Sequence, residues 1–422
     1  MNEIDEIVVT GGRPLHGTVR IQGSKNTALP VMAAALLSSG TSVLRECPKI
    51  TDVFLMEKIL RELGAETWWE DHDLYLDCSH ADGTVIPEYF SGKMRSSVIL
   101  LGAMLGRNGK ARTGYPGGCV IGKRPVDLHI QVLQKLGARI VENGNEIQAT
   151  CGKLKGAEVI FPKSSVGATE QGILAAVLTE GKTVFTGCAR EPEITWLCQY
   201  LTGMGAKIEI LENGSICIEG VKKLHPGSGT IPPDRIVAGT YLIAAATRGE
   251  IILENPPIDE MHAILEVYRK MGGQCHRIGG KLIVNGKNAG FPLELLETDV
   301  YPGFPTDLQS PAMAVLVTIP GVSRIREKIF EDRYKLASWL CHMGAKIEIR
   351  DGMAVVHGGY PLRGCIVEAE ELRGGAALVI AALAAEGVTR IRGCSFIERG
   401  YEHICEDLTA LGGLLIKDRG TL

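Results

Sequence analysis

One signature recurs six times along the chain: an amphipathic stretch with helical spacing ends in Leu-Gly or Met-Gly and runs straight into a strand-like stretch. The glycines are Gly64, Gly137, Gly205, Gly272, Gly344 and Gly412, about 70 residues apart. A period of that length marks one structural unit copied along the chain, and the copies must pack on one another to bury their apolar faces. Glycine suits the end of a helix because it accepts the left-handed torsion that closes the last turn. The alternation in segments such as AKIEILENGSICIEG and AKIEIRDGMAVVHG predicts strands with one buried face.

Each copy also holds an earlier helix of a different kind, for example ALPVMAAALLSSG, QGILAAVLTEG and GGAALVIAALAAEG. These are apolar nearly all round, so other structure must surround them. The second helices, such as VFLMEKILRELG and MHAILEVYRKMG, keep charges between their apolar positions and expose one face. Each unit therefore reads as strand, buried helix, strand, amphipathic helix, strand, strand. At 422 residues the chain exceeds the size at which one core stops growing. Six units over two domains predict an α/β protein with three units per domain, helices inside and sheets outside. The Gly- and Pro-rich segment GTIPP, Gly229 to Pro233, is the expected linker. The opening strand, Ile7 to Arg20, fits either domain by its residues alone.

A net charge of -4, with 22% charged and 45% hydrophobic residues, gives no general attraction to nucleic acid or acidic lipid. Any anion site must be local. Twelve cysteines are scattered without a CxxC pair or a Cys/His spacing suited to zinc, and the amino terminus lacks the pattern of a signal peptide. Reduced thiols in a cytoplasm follow, with no metal and no cofactor. The strongly apolar runs, such as Ala376 to Ala385, fall well short of the roughly 18 to 20 residues that span a bilayer, so no membrane partner is expected.

Buried helices lying side by side bring their amino termini together, and each terminus offers unpaired N–H groups and a partial positive charge. Such a cluster binds anions without net basic charge. The residues at the six helix starts are Lys25 and Asn26, Arg95, Lys163 and Ser165, Asp234 and Arg235, Asp307, and Arg373. Singly, each reads as a cap or a solvated end; together they mark a site. Lys25, Arg95 and Arg373 oppose the helix dipole and cost stability unless an anion lies beside them. Asp307 reads either as an N-cap or as a carboxylate that takes a proton from a hydroxyl, and its residue type does not choose between them. Between Gly114 and His129 the chain reads GYPGGCVIGKRPVDLH, a loop whose Cys119 precedes Lys123 and Arg124 by a few residues. Nearby cations favour a thiolate or hold an anion beside the sulfur. No GxxxxGK[ST], strand-linked GxGxxG, HExxH or GxSxG is present, which argues against P-loop, nicotinamide, zinc-protease and lipase-like chemistry.

The segments GSKNTALP (Gly23 to Pro30), PGGCVIGKRPVDLH (Pro116 to His129), SVGAT (Ser165 to Thr169), AREPEI (Ala189 to Ile194), PDRIVAGT (Pro233 to Thr240), FPTD (Phe304 to Asp307), LRGGAAL (Leu372 to Leu378) and ERGYE (Glu398 to Glu402) closely resemble the UDP-N-acetylglucosamine 1-carboxyvinyltransferases, over essentially the whole chain. The resemblance implies a two-domain inside-out α/β barrel of the EPSP synthase-like type, with six βαβαββ repeats. It divides the chain into residues 23–231, carrying the Cys119 loop, and 1–22 plus 232–422, with the active site in the cleft between them. It also implies transfer of the enolpyruvyl group of phosphoenolpyruvate to the 3'-hydroxyl of UDP-N-acetylglucosamine with release of phosphate, the first committed step of peptidoglycan synthesis.

By the same resemblance Cys119 is the proton donor and the thiol alkylated by fosfomycin, Asp307 holds and deprotonates the sugar hydroxyl, and Lys25 and Arg399 belong to the catalytic set. Phosphoenolpyruvate would be held by Lys25, Asn26, Arg124 and Arg399. The sugar nucleotide would meet Asn26, Arg95, Arg124, Pro125, Val126, Asp127, Leu128, Lys163, Ser165, Val166, Gly167, Asp307 and Ile329. Glu371 departs from the aspartate common at its place in the family. The sister enzymes acting on shikimate 3-phosphate lack the PGGC loop and the RPVDL segment, and a catalytically idle relative would have lost Cys119, Lys25, Asp307 or Arg399.

Overall fold

The computed structural model describes residues 4–117 and 125–420. Every one of the six predicted helix-ending glycines has a positive φ, from 83° at Gly412 to 107° at Gly344. The left-handed turn that the repeat signature demanded is therefore present in each unit, and a side chain there would strain the backbone. Among the described residues there are six four-stranded sheets. The fifth unit shows the plan: Leu296–Glu297 pairs in parallel with Gly321–Arg326, which pairs antiparallel with Met353–Gly358, which pairs antiparallel with Lys346–Arg350. The inner helices Lys25–Ala35, Leu100–Asn108, Val166–Ala176, Arg235–Ala244, Gln309–Leu316 and Leu372–Ala384 are buried almost throughout.

Three of the six sheets are completed by a strand from a distant part of the chain. Ile4–Thr10 and His16–Arg20 are separate strands rather than one opening strand. The first lies between Val388–Arg392 and Leu414–Gly420, and the second pairs in parallel with Glu250–Glu254. Gly229 and Thr230, expected as the start of a linker, instead belong to the strand Ser228–Thr230, which pairs in parallel with Thr41–Arg45. The boundary between two compact units of the chain falls inside GTIPP, between Pro232 and Pro233, and the linking part of that segment is the few residues after Thr230. Gly229 does not loosen the segment, because the neighbouring strand supplies hydrogen bonds that a free linker would lack.

The chain divides into two compact units, one formed by the segment ending at Gln22 with the segment beginning at Pro233, the other lying between Gly23 and Pro232. Each has its own apolar core. Among the described residues no helix is long and apolar enough to cross a membrane.

Two half-buried polar contacts at the margins of these cores lead to measurable expectations. Arg107 donates from Nη1 to the carbonyls of Leu36 and Ser38 and from Nη2 to that of Cys78, each at 2.7 Å. It closes the carboxyl end of the Lys25–Ala35 helix, where carbonyls have no partner within the helix. Arg107→Leu should cost about 3 kcal/mol by stranding those carbonyls, seen as an earlier midpoint in urea unfolding. Asp407 accepts from Tyr241 Oη at 2.6 Å, and burial pushes its carboxyl up to about 6, against the lowering effects of Tyr241 and His403. The native state then holds this proton more tightly than the unfolded chain, so stability falls as pH rises from about 4 to about 6 and stays reduced above. Asp407→Asn removes that slope. It should match the parent near pH 4 and melt later than the parent near pH 8.

Candidate functional site

In the unit that begins at Gly23, Lys25 is the first residue of its helix, and Ser24 caps that helix by accepting from Thr27 N at 3.3 Å. The cation opposes the helix dipole, and the chain itself supplies the anion: Lys25 Nζ lies 2.7 Å from Asp52 Oδ2, with side-chain exposures of 12% and 2%. Asp52 stands in the first turn of the helix Thr51–Glu62, where a carboxylate is favoured. Asn26 follows in the same turn as Lys25, half-buried.

A second group forms around the start of the helix Asp127–Lys135. Arg95, at the head of the 3-10 turn Arg95–Ile99, donates to Pro125 O at 3.1 Å. Pro125 and Asp127 are exposed, whereas Val126 and Leu128 point into the core and can offer a ligand only their main chain. Ser165 caps the helix Val166–Ala176 by accepting from Ala168 N at 3.4 Å, Lys163 is exposed just before it, and Val166 and Gly167 form its first turn. Gly167 lets this helix start approach His129, since a Cβ there would stand 2.9 Å from His129 Nε2. Burial first, then the charge of Arg95, pulls the His129 imidazole down to about 3, so the ring is neutral. Arg95, Pro125, His129 and Gly167 are thus brought together. The sequence placed His129 inside a motif and assigned it no role.

In the other unit three helix starts converge. Asp234 caps Arg235–Ala244, accepting from Ile236 N and Val237 N at 2.7 and 3.1 Å. Asp307 lies in the 3-10 turn Thr306–Leu308 and does not cap it. Its carboxylate instead accepts from Arg333 Nη2 at 3.0 Å on one oxygen and from Arg373 Nη2 and Nε at 3.0 and 3.3 Å on the other. Both guanidinium groups are buried, at 2% and 3% side-chain exposure, while Asp307 is 27% exposed. The face that this carboxylate keeps towards solvent is the one a ligand could reach. Burial opposes the charge of Arg373, but Asp307, Tyr401 and Asp234 outweigh it and hold the proton more firmly than usual.

Glu371, where the resemblance led us to expect an aspartate, caps the helix Leu372–Ala384 through Arg373 N at 2.8 Å and Gly374 N. The longer side chain therefore still reaches both donors. Arg373, a cation at a helix start that costs stability without an anion beside it, finds that anion in Asp307, whereas Arg333, in the charged run EDRYK, carried no signal beyond that of a solvated turn. Ile329 N donates to Glu327 Oε1 at 2.8 Å. Arg399 is half-buried in the turn after the short helix Cys394–Ile397. Cys119 and Arg124 lie outside the described residues.

The other cysteines are all free, and burial pushes the thiols of Cys78, Cys198, Cys394 and Cys405 up to about 12. Such thiols stay protonated and inert at neutral pH. Arrangements of this kind, with paired carboxylates and guanidiniums at helix starts, suit a compact anionic ligand next to a hydroxyl that must be oriented.

Comparison with known proteins places this geometry in a family. The family model for EPSP synthase (3-phosphoshikimate 1-carboxyvinyltransferase) matches residues 9–408. A UDP-N-acetylglucosamine 1-carboxyvinyltransferase 2 of Carboxydothermus hydrogenoformans is 42% identical over 412 residues, covering 97% of this chain and 98% of its own length. The UDP-N-acetylglucosamine 1-carboxyvinyltransferase of Paramagnetospirillum magneticum is 41% identical over 420 residues, covering 97% of each. Among solved structures, the enolpyruvyl transferase NikO from Streptomyces tendae superposes with a TM-score of 0.90 at 23% identity over the whole of both chains, a likeness of fold. The inside-out α/β architecture and the near-full-length identity agree: the chain belongs to the EPSP synthase family and, within it, to the UDP-N-acetylglucosamine 1-carboxyvinyltransferases.

Proposed function

We propose that the chain is a cytoplasmic transferase that moves the enolpyruvyl group of phosphoenolpyruvate to the 3'-hydroxyl of UDP-N-acetylglucosamine and releases phosphate, opening peptidoglycan synthesis. The observation that carries this reading is identity above 40% along almost the entire length of relatives bearing that activity in their names. Asp307, held between Arg333 and Arg373 with one face open, supports it from the side of the chemistry.

Phosphoenolpyruvate carries a phosphate and a carboxylate. Lys25, Arg124 and Arg399, with Asn26 as hydrogen-bond partner, would offset those charges. Addition of the sugar hydroxyl at C2 requires a proton delivered to C3, which Cys119 would give, while Asp307 would orient the hydroxyl and accept its proton. Loss of phosphate from the adduct and of a proton from C3 then restores the double bond. The nucleotide would lie along Arg95, the Arg124 to Leu128 segment and the Lys163 to Gly167 helix start, with Ile329 meeting the sugar through its main chain.

Phosphate release from phosphoenolpyruvate tests the reading. It should require UDP-N-acetylglucosamine, fail with shikimate 3-phosphate, and stop after treatment with fosfomycin. Mass spectrometry should then find the fosfomycin adduct on Cys119 and none on the buried thiols. Release driven by shikimate 3-phosphate would instead assign the 3-phosphoshikimate 1-carboxyvinyltransferase activity after which the family is described, and no release with either acceptor would point to an idle relative.

A further inference from the structure

Gln22 is the last residue of its unit before the chain crosses to the other, and its main chain is pinned on both sides. Ile21 N donates to Glu254 O at 3.0 Å, and Gln22 O accepts from Asp234 N at 2.9 Å. Its side-chain amide then makes two further bonds to one turn far along the chain: Nε2 donates to Gly400 O at 3.2 Å, and Oε1 accepts from Glu402 N at 2.9 Å. An amide whose donor and acceptor are both engaged by backbone acts as a short strand, and it fixes position and orientation together. The turn it grips is the one that carries Arg399.

The neighbours of Arg399 are tied down on both sides. Glu398 N donates to Cys394 O at 3.2 Å, and the Glu398 carboxylate is paired with Lys417. Gly400 and Glu402 are held by Gln22, and between them Tyr401 turns inward to Thr240 Oγ1 at 2.8 Å, with its ring beside the Arg373 guanidinium. The same residue thus anchors the Arg399 turn and, through Asp234, the group of helix starts that includes Asp307 and Arg373. A long side chain such as arginine delivers its charge accurately only if its own backbone is fixed, and small displacements of such a group are costly to a reaction.

We infer that Gln22 is a positioning residue that holds the Arg399 turn, and through it the anionic substrate, in register with the Asp234 to Asp307 cluster. The inference rests on the proposed assignment of Arg399 to phosphoenolpyruvate. Gln22→Leu keeps the bulk of the side chain and removes both bonds; Gln22→Glu keeps the acceptor facing Glu402 N and loses the donor to Gly400 O.

The test is a double-mutant cycle on kcat/KM for phosphoenolpyruvate, with Gln22→Leu, Arg399→Ala and the pair, alongside KM for the sugar nucleotide. Gln22→Leu should lower kcat/KM for phosphoenolpyruvate about tenfold, mainly through KM. It should change KM for the sugar nucleotide by less than about twofold, and it should add less than about twofold once Arg399 is gone. Gln22→Glu should fall between the parent and Gln22→Leu, and it carries the same cycle if Gln22→Leu proves too unstable to assay. An effect that persists in full without Arg399, or that falls equally on both substrates, overturns the positioning role. If Arg399→Ala itself leaves KM for phosphoenolpyruvate unchanged, the assignment of Arg399 is what has failed, and the role of Gln22 goes with it.

Discussion

Replacing Asp307 by asparagine should lower kcat by about a hundredfold to ten-thousandfold, the range for loss of a positioned proton acceptor. The amide keeps the size of the side chain but loses its charge, and it turns an NH2 group towards one of two guanidinium groups that also donate. Arg333 and Arg373 are both nearly inaccessible to water, so removing the carboxylate leaves two buried cations with less compensation. That should cost about 3 kcal/mol of stability in addition to the activity. Urea unfolding and steady-state kinetics separate the two effects. A variant that melts early but turns over at the parent rate would reduce Asp307 to a structural counter-ion.

Asp52→Leu should be at least as damaging to stability, by about 3–5 kcal/mol, because it takes the close carboxylate away from a mostly buried lysine. The informative comparison is Lys25→Met with Asp52→Leu in one chain. Replacing a buried ion pair on both sides with apolar groups of similar volume is often neutral or better for stability. The double variant should therefore regain most of the lost melting temperature. It should not regain phosphate release, since Lys25 is proposed to meet phosphoenolpyruvate. Recovery of both would remove Lys25 from the proposed machinery, and recovery of neither would mean that the pair is needed for the fold itself.

How far the sequence reached differs from one element to the next. The helix ends at Gly64, Gly137, Gly205, Gly272, Gly344 and Gly412 were legible because a left-handed residue is a local requirement with a residue type attached. The burial of helices such as Leu372–Ala384 was legible because apolarity on every face leaves no alternative in water. The caps Ser24, Ser165 and Asp234 bond to donors only two or three residues away. The role of Asp307 was not legible, since capping and pairing with distant arginines demand the same carboxylate.

By itself, then, the sequence determined the repeat, the kind of each helix and the helix starts where polar groups collect, all of which depend on neighbours within a turn or two. The tertiary structure decided which charges meet. Arg333 and Arg373 reach Asp307 from 26 and 66 residues away, and Gln22 reaches Gly400 across 378. It also decided that Ile4–Thr10, His16–Arg20 and Ser228–Thr230 complete sheets begun elsewhere. The reason is the same in each case. Backbone hydrogen bonds and charge pairs act on whatever group the packed core brings within reach, and neither requires a pattern that neighbouring residues must display.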